Sequence, residues 1–299
     1  RRGDLAIDAL LGLGTPRPPV GWLLEAIDRI RATDAGVLAV DLPTGLSADH
    51  GLCADPAHAV RADWTLSLLT LKPGLFTADG RDHAGAVWFD DLGVAPGTEA
   101  AGAHLMTAVP GGGWPTRSHA QHKGSFGDLW VVGGAEGMTG AAVLAARAAL
   151  NAGAGRVYLL TLAANGTDPG CPELMQRTPA ALEGREPSLG RATVVCGCGG
   201  GDAVAALLPA VGRAGQLLLD ADALNALAGD PALSGLLRAR RARGRATVLT
   251  PHPLEAARLL GTDTAAIQAD RLGAARTLAA RLSAVVVLKG SGSVVADPD

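Results

Sequence analysis

A chain of 299 residues, 48% hydrophobic and 18% charged, has the length of about two ordinary domains and is too apolar to be a disordered polymer. A formal net charge of −3 excludes a general electrostatic pull towards nucleic acid or anionic membrane, and the one basic run, Arg238 to Arg245, reads as a solvated helix end. Aromatic residues make up 3% while glycines number 41, so small side chains must fill much of the core and let backbones approach closely.

Cys53, Cys171, Cys196 and Cys198 give no disulfide framework for this length, and the single glycine between the last two does not match a zinc or redox knuckle. The sequence shows no basic-then-apolar signal segment and no apolar run of the roughly 20 residues that span a bilayer, so a cytoplasmic protein is expected. The start on a charged pair without Met, and the end directly after an apolar run, are expected of a piece of a longer chain.

Leu5 to Leu11 reads as a strand carrying Asp8, followed by a loop through Gly12, Gly14 and Pro19. Trp22 to Ile30 places Leu23, Ala26, Ile27 and Ile30 at helical spacing. Val37 to Val40 predicts a short buried strand ending in Asp41-Leu42-Pro43-Thr44-Gly45. Trp64 to Leu71, closed by Lys72-Pro73-Gly74, and Val87 to Phe89 predict two more. Strand, helix and strand in this order suit a doubly wound parallel sheet, whose carboxyl edge is where ligands bind. Asp8 and Asp41 lie at or near that edge and either face one crevice or cap turns. Lys72 either meets an anion or stays solvated.

From Ala95 to Gln121 the composition turns to Gly, Ala, Pro and Thr without periodicity, and Gly111-Gly112-Gly113 is a breaker cluster. The expected division is residues 1–94, a linker over 95–115, and a second unit over 116–299. Leu129 to Val132 is an apolar run that stops in Gly133-Gly134, followed by an Ala-rich helix over Gly140 to Ala149 and a second run at Val157 to Leu160, which together predict a βαβ unit. Its glycine turn either offers free N–H groups to an anion or is a tight packing turn. The spacing is neither the phosphate loop ending in Gly-Lys-Ser/Thr nor the dinucleotide fingerprint.

Ala192 to Val195 predicts a strand ending in Gly197-Cys198-Gly199-Gly200-Gly201, with Asp202 placed to cap a helix to Leu208. Gln216 to Leu219 ends in Asp220-Ala221-Asp222, two carboxylates that share a face if the segment is extended and either help hold Mg²⁺-phosphate or cap the following turn. Ala246 to Leu249 leads to His252, fixed between Pro251 and Pro253, with Glu255 beginning a helix. Ala284 to Leu288 finishes in Lys289-Gly290-Ser291-Gly292-Ser293, where a lysine and backbone N–H groups suit phosphate.

The motifs VDLPTG at Val40 to Gly45, DALLGLG at Asp8 to Gly14, AVRADWT at Ala59 to Thr65 and LKPG at Leu71 to Gly74 resemble the C-terminal half of the NAD(P)HX epimerase domain, the YjeF N-terminal family. The resemblance implies a Rossmann-like α/β fold that interconverts the two epimers of hydrated NAD(P)H. It implies that Asp8 and Thr44 contribute to a potassium site, that Gly12, Leu13, Gly14, Thr15, Pro16, Arg17 and Pro18 lie over the hydrated nucleotide, and that Asp41 contacts it. Thr44 stands where the family often has serine, and either hydroxyl supplies an oxygen to a hard cation. The family's upstream half, with a nucleotide loop and a further potassium ligand, is not represented before Arg1.

The motifs from HKGSFG at His122 through VVGGAEGMTGA, AALNAGAG, CPELM, CGCGGG, LLLDADALNAL and TPHPLEAARLLG to VVLKGSGSVV at Val286 resemble the ADP- or ATP-dependent NAD(P)HX dehydratase, the YjeF C-terminal family, with a ribokinase-like α/β fold. The resemblance implies that Ala141, Gly199 and His252 contact the hydrated nucleotide and that Lys289, Gly290, Ser291, Gly292 and Ser293 contact the adenosine phosphate. Cys198 and Gly200 depart from the family's Gly-Pro-Gly-hydrophobic-Gly turn. The Gly-x-Gly-Asp aspartate expected as acid/base would lie beyond Asp299.

The implied chemistry phosphorylates the C6 hydroxyl of the hydrated nicotinamide ring from ADP or ATP with Mg²⁺ and then eliminates phosphate to restore NAD(P)H. Glycine-loop N–H groups and Lys289 would neutralise the transferred phosphoryl group. The whole protein is expected to be bifunctional, a homo-oligomer acting on small nucleotides without nucleic acid or membrane partners, and the 299 residues alone are expected to be weakly active or inactive. The competing readings are a ribokinase-like small-molecule kinase and a nucleotide-binding module without turnover.

Overall fold

In the computed structural model, which describes residues 4–14, 17–95, 97–107, 116–164, 168–182 and 186–299, the apolar runs become strands of two separate sheets. They belong to two units, Arg1–Trp114 with Gly290–Ser293 and Pro115–Lys289 with Val294–Asp299.

The first unit holds four parallel strands in the order β1 (Leu5–Asp8), β2 (Gly36–Val40), β3 (Trp64–Leu68) and β4 (Ala86–Asp90). The helix Trp22–Arg31 buries Ile27 in a cluster with Val37, Ala39, Val60 and Ala62 on one side of the sheet. Two strands end earlier than their apolar runs. β1 stops at Asp8, whose carboxylate accepts the Leu10 N–H at 3.3 Å, and β3 stops because Leu69 turns left-handed at φ 63. The other sheet face carries Leu5 and Ile7, in register with Gly36 and Leu38, then Trp64 and Trp88. Gly36 lets the Trp64 ring lie over it, since a Cβ there would stand 2.7 Å from that ring and displace it.

The second unit is built on β5 (Asp128–Gly133), β6 (Arg156–Thr161), β7 (Met175–Arg177), β8 (Thr193–Cys196), β9 (Gln216–Leu219), β10 (Thr247–Leu249), β11 (Val285–Leu288) and β12 (Val294–Ala296). Their order is β12-β11-β10-β9-β8-β5-β6-β7, parallel throughout except that β12 runs against β11. Strands buried on both sides must be apolar on both. On one side Val131, Val157 and Leu159 pack against Ala142, Ala146 and Ala149 of the helix Thr139–Asn151, whose small residues let helix and sheet approach closely. On the other, Trp130, Val132, Leu160, Val194, Leu219 and Val286 join the helices Asp222–Gly229, Pro253–Leu260 and Arg271–Leu282 in the largest core. Trp130 and Tyr158 stack within it at 4.6 Å between centroids.

Three expectations are corrected. Asp202 does not cap the following helical turn; it lies inside it, after Gly201. Asp220 and Asp222 do not share an extended face, since Ala221 is left-handed at φ 48 and the helix already begins at Asp222. The basic run is not wholly solvated, because Arg240 is buried at the end of the helix Pro231–Ala242. No helix among the described residues is long and apolar enough to cross a membrane.

Candidate functional site

In the second unit the strand order reverses beside β5, which leads through the helix Thr139–Asn151 to β6 on one side and pairs with β8 on the other. In an open parallel sheet a crevice forms at the carboxyl end of such a switch point, because the two connections leave in opposite directions. Both glycine loops singled out in the sequence end there. Gly134 N–H donates to the Cys198 carbonyl at 3.0 Å and Ala135 N–H to the Gly199 carbonyl at 2.7 Å. A Cβ at Gly133 would stand 2.4 Å from the Cys198 carbonyl oxygen. One at Gly199, left-handed at φ 57, would stand 2.9 Å from the Met138 carbonyl oxygen and 3.1 Å from the Ala141 Cβ. Ala141 and Gly199 are thus neighbours, and among the described residues no side chain caps the N-terminus of the helix that carries Ala141.

Asp220, at the end of β9, ties together the ends of neighbouring strands. Its Oδ1 accepts from the Lys289 ammonium, after β11, at 2.7 Å and from the Thr250 hydroxyl, after β10, at 2.8 Å, while the Cys198 thiol faces Oδ2 at 3.9 Å. Burial, reinforced by the Asp220 carboxylate and opposed by Lys289, pushes the Cys198 thiol up to about 11, so it is protonated at neutral pH. Asp222 turns elsewhere and accepts the Gly201 N–H at 2.8 Å, holding the second glycine loop.

His252 caps the helix Pro253–Leu260. Its Nδ1 accepts from the N–H groups of Leu254 (3.1 Å) and Glu255 (3.4 Å), and buried Glu255 accepts the His252 N–H at 2.8 Å. With Nδ1 an acceptor, this bonding pattern assigns the neutral ring's proton to Nε2, 3.2 Å from Glu255 Oε1. The imidazole is held at both nitrogens yet remains half-exposed at the strand edge, neither free-standing nor buried. Lys289 is positioned from below: its N–H donates to the Pro251 carbonyl at 2.8 Å, and buried Arg271 donates to the carbonyls of Leu288 and Lys289 at 3.2 and 3.1 Å. Gly290, Ser291, Gly292 and Ser293 form the turn between β11 and β12 and are grouped with the first unit. The sequence pointed to Lys289 and His252 but not to Arg271, which lies in no motif, nor to the bond of Thr250, the first residue of TPHPLEAARLLG, to Asp220.

In the first unit, fully buried Asp8 and Thr44 meet. The Thr44 hydroxyl donates to Asp8 Oδ1 at 2.7 Å, the Thr44 N–H donates to Oδ2 at 2.7 Å, and the hydroxyl accepts the Leu11 N–H at 3.2 Å. Oxygen donors of this kind suit a hard cation, but two residues supply only part of its six or more ligands, and the described residues hold no cluster of three or more His, Cys, Asp or Glu placed for a metal. Gly12, Leu13, Gly14, Arg17 and Pro18 line a cleft of about 440 Å³ together with Pro43, Thr44 and Gly45. Thr15 and Pro16 lie outside the described residues. Asp41 follows β2 in a left-handed conformation and pairs with Lys72, which is buried rather than solvated or open to an anion.

Residues 129–299 match the family described as NAD(P)H-hydrate dehydratase, and residues 2–74 match the YjeF-related protein N-terminus. Among curated proteins the chain is similar to the bifunctional NAD(P)H-hydrate repair enzyme Nnr of Escherichia coli K12, 38% identical over 302 residues, covering 98% of this chain and 56% of that protein. It is also similar to the ADP-dependent (S)-NAD(P)H-hydrate dehydratase of Neisseria meningitidis serogroup B, 44% identical over 193 residues, covering 61% of this chain and 62% of that one. The chain therefore spans little more than half the length of these relatives. Among solved structures, the ADP/ATP-dependent NAD(P)H-hydrate dehydratase of Bacillus subtilis, co-crystallised with ATP and Mg²⁺, superposes with a TM-score of 0.50 at 27% identity, covering 62% of this chain and 66% of that one.

Proposed function

Since the chain belongs to the NAD(P)H-hydrate dehydratase family, we propose that it is part of an enzyme that repairs hydrated NAD(P)H, with residues 116–299 as a dehydratase unit using ADP or ATP and residues 1–94 as part of an epimerase unit. The observation that carries this reading is the lacing of two glycine loops at the switch point by two backbone hydrogen bonds, with no space for a side chain at Gly133 or Gly199. Ala141, Gly199 and His252 contact the hydrated nucleotide, His252 from a half-exposed ring at a strand end.

Lys289, with the turn Gly290 to Ser293, holds the adenosine phosphates, and the ammonium exchanges its bond to Asp220 for phosphate oxygens. Mg²⁺, when bound, would supply charge neutralisation to the transferred phosphoryl group. The residue here that fits it is Asp220, whose Oδ2 keeps acceptor capacity towards an ion that retains water and phosphate ligands. In the first unit, Asp8 and Thr44 would contribute oxygens to K⁺, the loop Gly12 to Pro18 covers the hydrated nucleotide, and Asp41 contacts it. The setting proposed is a cytoplasmic homo-oligomer.

The test incubates the whole protein that contains this chain with hydrated NADH and either ADP or ATP, and follows nicotinamide absorbance together with released phosphate. Recovery of NADH with stoichiometric phosphate is expected of the dehydratase unit in its whole protein. A stable phosphorylated product without NADH would mark a kinase instead, and binding without turnover would mark a nucleotide-binding module.

A further inference from the structure

The pair formed by Asp41 and Lys72 has a directionality that packing does not require. Asp41 takes φ 68 directly after β2, a conformation uncommon outside glycine. Lys72 is 5% exposed, and its ammonium donates to Asp41 Oδ1, to the Leu68 carbonyl at 2.6 Å and to the Ser67 hydroxyl at 3.4 Å. An ammonium has three donors, so none is left for a ligand. Asp41 Oδ1 also accepts the Leu68 N–H at 3.0 Å. Oδ2 accepts nothing among the described residues and lies 3.8 Å from where a Cβ on Gly12 would stand, and Gly12 lines the 440 Å³ cleft. One oxygen of the carboxylate is fully engaged by the fold and the other faces the loop.

We propose that Lys72 is a positioning residue for the first unit's site: by engaging Oδ1 it holds Asp41 in its left-handed conformation and aims Oδ2 at the Gly12 loop, where it accepts a hydrogen bond from a hydroxyl of the bound dinucleotide. The proposal rests on the reading of this unit as one that binds hydrated NAD(P)H. Lys72 makes no ligand contact itself and acts only through the carboxylate.

A double-mutant cycle tests this in the whole protein that contains this chain, with hydrated NADPH as the probe, reading KM and kcat for epimerisation and affinity by calorimetry. Asp41→Asn and Lys72→Met are each expected to weaken binding about tenfold with a smaller change in kcat, and the double variant to be no worse than the poorer single one. Losses that multiply to about a hundredfold would overturn the proposal, since a purely structural lysine would add its own effect. Lys72→Arg, which keeps a cation beside Oδ1, is expected to stay within about threefold of wild type; should Lys72→Met fail to fold, a tenfold loss in the arginine variant with Asp41 unmoved overturns the proposal. A crystal structure of Lys72→Met gives a readout apart from activity. Asp41 leaving its left-handed conformation supports the positioning role, and Asp41 unchanged overturns it. If the wild-type whole protein binds no hydrated nucleotide, the functional reading falls together with the ligand role, whatever Asp41 does.

Discussion

Arg240 is 2% exposed, and its guanidinium donates to the carbonyls of Gly212 and Ala214 at 2.7 Å, to that of Ala246 at 2.8 Å and to the Thr247 hydroxyl at 2.9 Å. Burial pushes its pKa down to about 10, which leaves it charged at neutral pH. Arg240→Met would strand those acceptors, and a loss of about 3 kcal/mol is expected in equilibrium urea unfolding. Cys198 gives a prediction of opposite chemistry. Its folded-state pKa of about 11 lies above the ordinary 9.0, so the folded chain holds a proton that the unfolded chain releases first. Stability from this group is complete below pH 9 and is lost as pH rises towards 11, and Cys198→Ala should flatten the alkaline decline seen by thermal melting. The sequence named Asp8 and Thr44 together, but that they meet by two bonds of 2.7 Å depends on β1 and β2 lying side by side. Thr44→Val removes one oxygen and one donor, and on the proposed K⁺ role the epimerisation of the whole protein is expected to fall at least tenfold and to lose a response to K⁺, measured by exchanging K⁺ for Na⁺.

Strands were legible at the scale of elements because buried parallel strands are continuous apolar runs, and Leu129 to Val132 and Gln216 to Leu219 fall inside β5 and β9. Their carboxyl ends were less so. Trp64 to Leu71 continues apolar past the point where Leu69 turns left-handed, and nothing in composition marks that turn. The glycine loops were legible as breakers, but which glycines tolerate a side chain depends on what lies opposite. At Gly197, φ 114, a Cβ would meet the Asp220 carbonyl oxygen at 2.0 Å, whereas at Gly140 it meets nothing within 4 Å. Gly197→Ala should therefore lose roughly 2 kcal/mol or more of stability and most nucleotide binding. Gly140→Ala should retain both and gain up to about 1 kcal/mol of helix stability, and paired melting and titration experiments separate the two.

Taken whole, the molecule contains separate apolar cores in its two units, the larger around Trp130, Val194 and Leu219 and a smaller one around Ile27 and Ala39. The sheet of the first unit leaves one face open among the described residues: Ile7 is 57% and Trp88 65% exposed. A parallel sheet ordinarily buries both faces, so an apolar reporter dye should bind here, and Ile7→Lys with Trp88→Lys should lower its fluorescence without shifting the melting temperature of the second unit. The sequence by itself determined the α/β class, the strand cores and the residues at their carboxyl ends, because apolar periodicity and glycine or aspartate stops are local signals. Only the tertiary structure decided the partners. The strand order set β5 beside β8 and so joined Gly133 to Cys198, brought Lys289 and Thr250 to one carboxylate, and turned Lys72 and Arg240 inward. A charged side chain's direction follows from which strand lies next to its own, and pairing between distant segments is not written in either segment alone.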